Sequence, residues 1–456
     1  MVKHLSEGLI FRYLDRSTTG DDVRLLLRHV LEVCDQCRHQ AVETADSLGY
    51  VVTPDHEIVA ADAPEPDDYT EVFTRVLGSL AATRHRMAEE KLGAGALWAR
   101  LRPLPPAERR ITIRGDAAFH SWAFLERLLA ESILLRSNPI ECHDIASLAV
   151  VVADRLDPLE VGQSRLADLR ARALAELANA ARINLEFRQA ALYLRDALRL
   201  LDAGSGDLLE KARVLNYEGS LYVDVGRFEE GAARFGRCYQ IYELLSDHHL
   251  MGRALVQQAH AVGQFEPAEA VRLLQQAVGL IDLSEEPTLE LAAQHNLALF
   301  LCESGRTAEA MDKLEASRHL YERFPEPRYL FRLTWLEAKI LRGLGRLQDA
   351  AFAFDSVRSA YRDEHLDQEY VLASLDLAGT LLQLGETVEA LALLAQVHRW
   401  LEAYGMHAEG LGVCLLAREA IARQGLADET LRRLAVYLKR AWVFPVQNGD
   451  EELAGL

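Results

Sequence analysis

Residues 219–235, GSLYVDVGRFEEGAARF, decide the fold. Gly219, Tyr222 and Gly226 close one helical stretch, and Phe228, Gly231 and Phe235 open the next. Gly226 stands where a helix ends in a left-handed C-cap. Gly231 is also one member of a row of small residues that runs through the chain: Ala190, Gly231, Ala270, Ala310, Ala350, Ala390 and Thr430. The successive steps are 41, 39, 40, 40, 40 and 40 residues. Four residues after each member stands a large apolar side chain, namely Leu194, Phe235, Leu274, Leu314, Phe354, Leu394 and Leu434. Seven after each come Ala197, Cys238, Ala277, Ser317, Val357, Val397 and Tyr437. A constant period with helical spacing inside it is the mark of stacked helix pairs. The small residue lets two helices approach closely, and the side chains four and seven later fill the seam on the same face.

Five turns inside these pairs carry glycine: Gly226, Gly263, Gly305, Gly345 and Gly385, with Gly425 closing a sixth. The unit holding Gly263 has two extra residues, Glu266 and Pro267, in its turn. An earlier pair is expected over 119–156, broken at Asn138-Pro139, and another over 166–201. The pattern resembles the tetratricopeptide repeat. The match is most specific at Gly219, Tyr222, Gly226, Phe228, Gly231 and Phe235. Ala178, Ala298, Ala338 and Ala378 fill the early small position elsewhere, while Arg418 departs from it. The period of forty exceeds the family's usual ~34, as in its longer-repeat regulators. The resemblance implies an all-α fold, a right-handed α-solenoid over 117–444. Its first helices would line a concave wall.

Carried onto this chain, the family's groove positions are Arg172, Asn179, Arg182, Arg213, Asn216, Ser220, His295, Arg332, Trp335, Lys339 and Arg342. The set holds six cations and no acid in a chain of net charge −19. Such a lane would attract an acidic segment or a terminal carboxylate, with Trp335 as an apolar anchor. The competing reading is that these cations pair with acids of the neighbouring repeat, for instance Glu176, Glu218, Glu303 or Glu337.

Ahead of the repeats the chain divides by composition. Residues 1–45 form a small helical unit, with an apolar stripe at Leu5, Leu9, Ile10, Tyr13 and Leu14 and a second from Val23 to Leu31. The second runs into His29, Cys34 and Cys37. Two thiolates and an imidazole supply three ligands of a tetrahedral zinc site; His4 is a candidate fourth and His39 another. This stretch resembles the zinc-binding anti-sigma domain of bacteria, which implies structural Zn2+ and a sigma factor as partner. The family places three residues between His and the first Cys, and here there are four. In a regular helix that step turns about 500° and leaves His29 and Cys34 about 140° apart. Chelation then needs the helix to end before Cys34. The alternatives are a metal-free hairpin and a redox-switching dithiol.

Residues 46–68, rich in Pro and acids, are expected to be a linker. Residues 69–116 are expected to form a helical adaptor that caps the first repeat: a helix to about Lys91, a piece over 97–101 and another over 108–114. Residues 445–456 read as a disordered acidic tail. The adjacent His248 and His249 read as loop residues. Cys142, Cys238, Cys302 and Cys414 stand singly and read as small core residues.

The acidic charge argues against broad nucleic-acid binding. The absence of an apolar run of about eighteen residues argues against a membrane span, and with it the expectation is a cytoplasmic protein. No nucleophile elbow, phosphate loop, dinucleotide fingerprint or HExxH is present. The sequence alone therefore points to a non-enzymatic regulator or adaptor that binds a protein or peptide, with a plain interaction scaffold as the alternative. An enzyme hidden in 69–157 finds no convergent polar cluster to support it.

Overall fold

The computed structural model describes residues 70–403 continuously, together with 9, 39, 41–43, 50–52, 58–60, 406, 410–415 and 438. Two compact units divide the chain, 1–89 and 90–456. In the first, β1 (Tyr50–Val52) and β2 (Ile58–Ala60) form an antiparallel hairpin in which Val51 faces Val59. The segment read as linker thus contains strands. Its two short runs of β-prone residues are the signal for them.

Helix α1 (Thr70–Leu101) is one element of 32 residues. The expected break before Leu97 is absent, because Gly93 and Gly95 lie in open space and cost the helix only their propensity. Then follow α2 (Pro106–Gly115), α3 (Trp122–Leu134), α4 (Pro139–Ala153), the single turn α5 (Pro158–Val161) and α6 (Gln163–Ile183). Next come α7 (Phe187–Asp202), α8 (Leu208–Asp224), α9 (Phe228–Leu244), α10 (His248–Val262), α11 (Pro267–Val278) and α12 (Pro287–Glu303). The described array ends with α13 (Thr307–Arg323), α14 (Pro327–Gly343), α15 (Leu347–Asp363), α16 (Asp367–Leu384) and α17 (Thr387–Ala403). From α6 onward these are the first and second helices of successive pairs, and the architecture is the expected helical-repeat solenoid.

The periodic residues occupy the seams. Ala190, Ala270, Ala310, Ala350 and Ala390 are fully buried, as is Gly231 among its neighbours. Leu194, Phe235, Leu274, Leu314, Phe354 and Leu394 are buried beside them. A Cβ on Gly219 would stand 2.9 Å from the Phe235 ring, so the small position of one helix is matched to the large side chain of its partner. Thr430, Leu434, Tyr437, Arg418 and the tail lie outside the described residues.

The turns explain where helices stop. Gly226, Gly305, Gly345 and Gly385 have φ between 74° and 82°, the left-handed conformation expected of a C-cap. The residue after each donates its N–H back to the helix, as Arg227 does to the Tyr222 carbonyl at 2.7 Å. Gly263 differs, with φ −61°. A Cβ there would lie 2.1 Å from the Phe300 ring, so close packing rather than backbone hand selects this glycine. In the α6–α7 turn the left-handed residue is Leu185, at φ 62°. First helices α8 and α10 are capped by Asp207 and Asp247, whose carboxylates accept from backbone N–H groups of the first turn. His248 and His249 accordingly open α10 rather than sit in a loop. Cys142 and Cys238 are buried as expected, whereas Cys302 is half-buried and Cys414 exposed.

Among the described residues no helix is long and apolar enough to cross a membrane.

Candidate functional site

The first helices carry the residues that the repeat resemblance selects. At the N-terminal end of the array Arg172 on α6 reaches Glu126 on α3 at 2.5 Å and Glu210 on α8 at 3.8 Å. Arg213 meets the same Glu210 at 3.4 Å. Burial pushes the Glu210 carboxyl above its ordinary range, against the pull of Arg213 and Arg172. Arg182 binds Asp224 on α8 and donates to the buried Asn179 side chain at 3.0 and 3.1 Å. Asn216 on α8 and Gln257 on α10 exchange two amide hydrogen bonds, of 2.6 and 3.3 Å. The Ser220 hydroxyl donates to the Asn216 carbonyl at 3.0 Å.

At the other end Asp376 on α16 gathers three groups from α14. It accepts from the Trp335 indole at 2.8 Å and stands 3.4 Å from Lys339 and 3.1 Å from Arg342. Lys339 also lies 3.5 Å from Glu303 on α12. Burial raises the Asp376 carboxyl, but Lys339, Arg342 and the hydrogen bonds outweigh it and hold it below the carboxylate range. Burial likewise depresses the Lys339 ammonium, and Asp376 and Glu303 more than restore it.

Five of the six cations in the lane are therefore paired with acids, four of them on adjoining elements and Arg213 on its own helix. The four acids named from sequence are paired too: Glu303 with Lys339, Glu337 with Arg318, Glu218 with Arg234 and Glu176 with Arg136. The lane of unopposed cations read from sequence is thus an interleaved one. The cations lie on first helices, but acids opposite them lie 34–46 residues away and are invisible to a count along one helix.

Arg332 is the exception. Among the described residues no carboxylate lies within ion-pair distance of it. It borders a cleft of about 280 Å³ formed by α12, the end of α13 and the start of α14. His295 is buried there, its Nδ1 2.7 Å from the Tyr321 hydroxyl. Desolvation first, then Arg332 and His260, hold the imidazole well below its ordinary pKa, so it is neutral. Leu289, Leu291 and Ala292 give the cleft apolar walls. His295 and Arg332, groove positions of successive repeats in the sequence reading, line one cleft.

Tyr321 and Asp376 were missed. Tyr321 sits eleven residues after Ala310, at the place filled by Tyr242 and Tyr361 in other repeats, and that periodic tyrosine was a legible signal. Nothing in the sequence singles out Asp376 among the acids of helix faces.

His4, His29, Cys34 and Cys37 lie outside the described residues. His39 is exposed, 3.5 Å from Glu43 on its own helical turn. Among the described residues no three His, Cys, Asp or Glu side chains are placed to hold a metal.

No family model and no curated protein sequence matches the chain. Solved structures do. A Rap protein complexed with competence and sporulation factor aligns over 73% of this chain and 98% of its own, with TM-score 0.51 and 13% identity. Aspartyl phosphate phosphatase F from Bacillus subtilis aligns over 88% of this chain and 96% of its own, with TM-score 0.48 and 13% identity. At such identity the likeness is one of fold. The second neighbour is named a phosphatase. The expectation of a non-enzymatic protein rested on missing motifs alone and is withdrawn.

Proposed function

We propose that the solenoid is a regulatory binding module whose first-helix wall holds a segment of a partner protein or a peptide. The observation that carries this reading is the part-exposed amide pair of Asn216 and Gln257 at the centre of the wall. Two neutral amides that satisfy each other can exchange partners for the amides of an extended chain without stranding a charge. The ion pairs on either side hold the helices in place for it. The Rap protein solved with competence and sporulation factor supports the reading by carrying a bound factor on the same kind of fold.

The test is site-specific photo-crosslinking of the full chain. A crosslinker at Asn216 is expected to capture a discrete partner. One at Phe352, 80% exposed on the second helix α15, is expected to capture none. Equal capture at both positions, or capture at Phe352 alone, removes the wall as the binding face.

A finer reading rests on the sequence of the N-terminal unit: His29, Cys34, Cys37 and His4 hold zinc, and the unit binds a sigma factor. Zinc near one equivalent in purified protein, together with a sigma factor among the captured partners, supports it. Protein that folds with less than about 0.1 equivalents of zinc removes it, since a structural zinc site binds tightly, and leaves the solenoid as a scaffold.

A further inference from the structure

The cleft at Arg332 has a charge balance unlike the rest of the wall. Three charged side chains border it. Glu286 is 3.4 Å from Arg253 and 3.8 Å from His249. Arg328 is 3.1 Å from Glu326 and donates to the Tyr329 hydroxyl at 3.0 Å. Arg332 alone of the three has no ion pair among the described residues. One positive charge is left over. The polar groups of the floor, His295 and Tyr321, already bond to each other. The remaining lining is aliphatic or aromatic apart from Thr288, and the volume is at the small end of ligand sites.

We propose that this cleft binds a small monocarboxylate with an apolar body, the carboxylate gripped by Arg332 and the body lying against Leu291, Ala292 and the rings of Tyr321 and Tyr329. A guanidinium at the mouth suits a planar carboxylate, which it takes through two parallel hydrogen bonds. A doubly charged phosphate fits poorly, because one cation is uncompensated and the Glu286 carboxylate borders the same space. The carboxylate can belong to a free organic acid or to the end of a short chain. The inference stands on the cleft itself and does not require the amide pair of the wall to bind anything.

Titration calorimetry on the full chain tests it with three probes: 4-methylpentanoate, its uncharged amide 4-methylpentanamide, and N-acetylleucine. The acid is expected to bind at least about tenfold more tightly than its amide, the scale of a charge-assisted hydrogen bond. Arg332→Gln is expected to erase that difference, and Arg332→Lys to restore part of it. Arg332 is exposed, so these variants leave the fold intact. Arg306→Gln, at an exposed arginine paired with Glu309, is expected to bind as wild type does. Tighter binding of N-acetylleucine assigns the carboxylate to a chain end, and tighter binding of 4-methylpentanoate assigns it to a free acid. Either result supports the site. Equal affinity for acid and amide, an undiminished preference in Arg332→Gln, or no saturation by either acid overturns it.

Discussion

Two slots of the repeat, forty residues apart, are built from the same positions and finished differently. In one, His295 of α12 meets Tyr321 of α13 through a 2.7 Å hydrogen bond, and the space beside them stays open. In the next, Trp335 of α14 stands edge-on to Tyr361 of α15 at 5.7 Å between ring centroids, with Phe331 on the same tyrosine at 5.7 Å. There the indole N–H turns away to Asp376, and the Tyr361 hydroxyl is buried without a hydrogen-bond partner. A one-ring side chain leaves room that a two-ring side chain fills. The closed slot is tied into its neighbour by charge, and the open slot keeps a charge in reserve. A periodic fold can thus repeat a frame while varying, slot by slot, whether the frame is braced or vacant.

The sharpest way to break the comparison is to remove the brace. Asp376→Ala leaves Lys339 and Arg342 facing each other in a largely buried site and is expected to cost about 3–5 kcal/mol in urea denaturation. Arg332→Gln in the open slot is expected to stay within about 0.5 kcal/mol. Equal losses would mean that the two slots do not differ in this way.

The second difference is in titration. The folded His295 imidazole is held well below the ordinary value of 6.5, with Tyr321 bonded to it and Arg332 and His260 in range. Below about pH 6.5 the unfolded chain takes up a proton that the folded chain refuses. This group's contribution is therefore full above that pH and falls as the solution is acidified, by at most about 1.4 kcal/mol per pH unit. Denaturation near pH 7 and near pH 5.5 is expected to show a steeper loss for the wild type than for His295→Gln. Parallel losses in the two proteins would contradict the assignment.

A smaller effect, of opposite sign in the two slots, is expected from removing each hydroxyl. Tyr321→Phe breaks a buried hydrogen bond and is expected to cost about 1 kcal/mol, whereas Tyr361→Phe deletes an unmatched hydroxyl and is expected to be neutral or stabilising. The smallest effect belongs to the turns. Leu185 is 73% exposed and holds a left-handed conformation that glycine takes in four other turns. Leu185→Gly is expected to gain about 0.5 kcal/mol, the relief of backbone strain less the added freedom of the unfolded chain.

The frame was legible because it depends on spacing along one chain. Ala270, Ala310 and Ala350, with Leu274, Leu314 and Phe354 four residues on, announce the seam that the structure builds. What fills the frame was less so. Whether Lys339 is free or paired depends on Asp376, which reaches it only after two helices have turned back on themselves. Gly263 looked like the other turn glycines, and only the ring of Phe300 shows why it is there. The hairpin at Tyr50–Val52 and Ile58–Ala60 was hidden by the acids and prolines around it. His295 and Arg332 were both picked out by the groove count, yet their joint cleft needed Tyr321 from a helix that such a count ignores.

The amide pair of Asn216 and Gln257 makes the wall's response to ionic strength uneven. Added electrolyte weakens the part-exposed contacts of Arg172 with Glu210 and of Lys339 with Glu303, since screening acts on formal charges. It leaves two neutral amides untouched. In concentrated salt these charged contacts would loosen before the amide pair does.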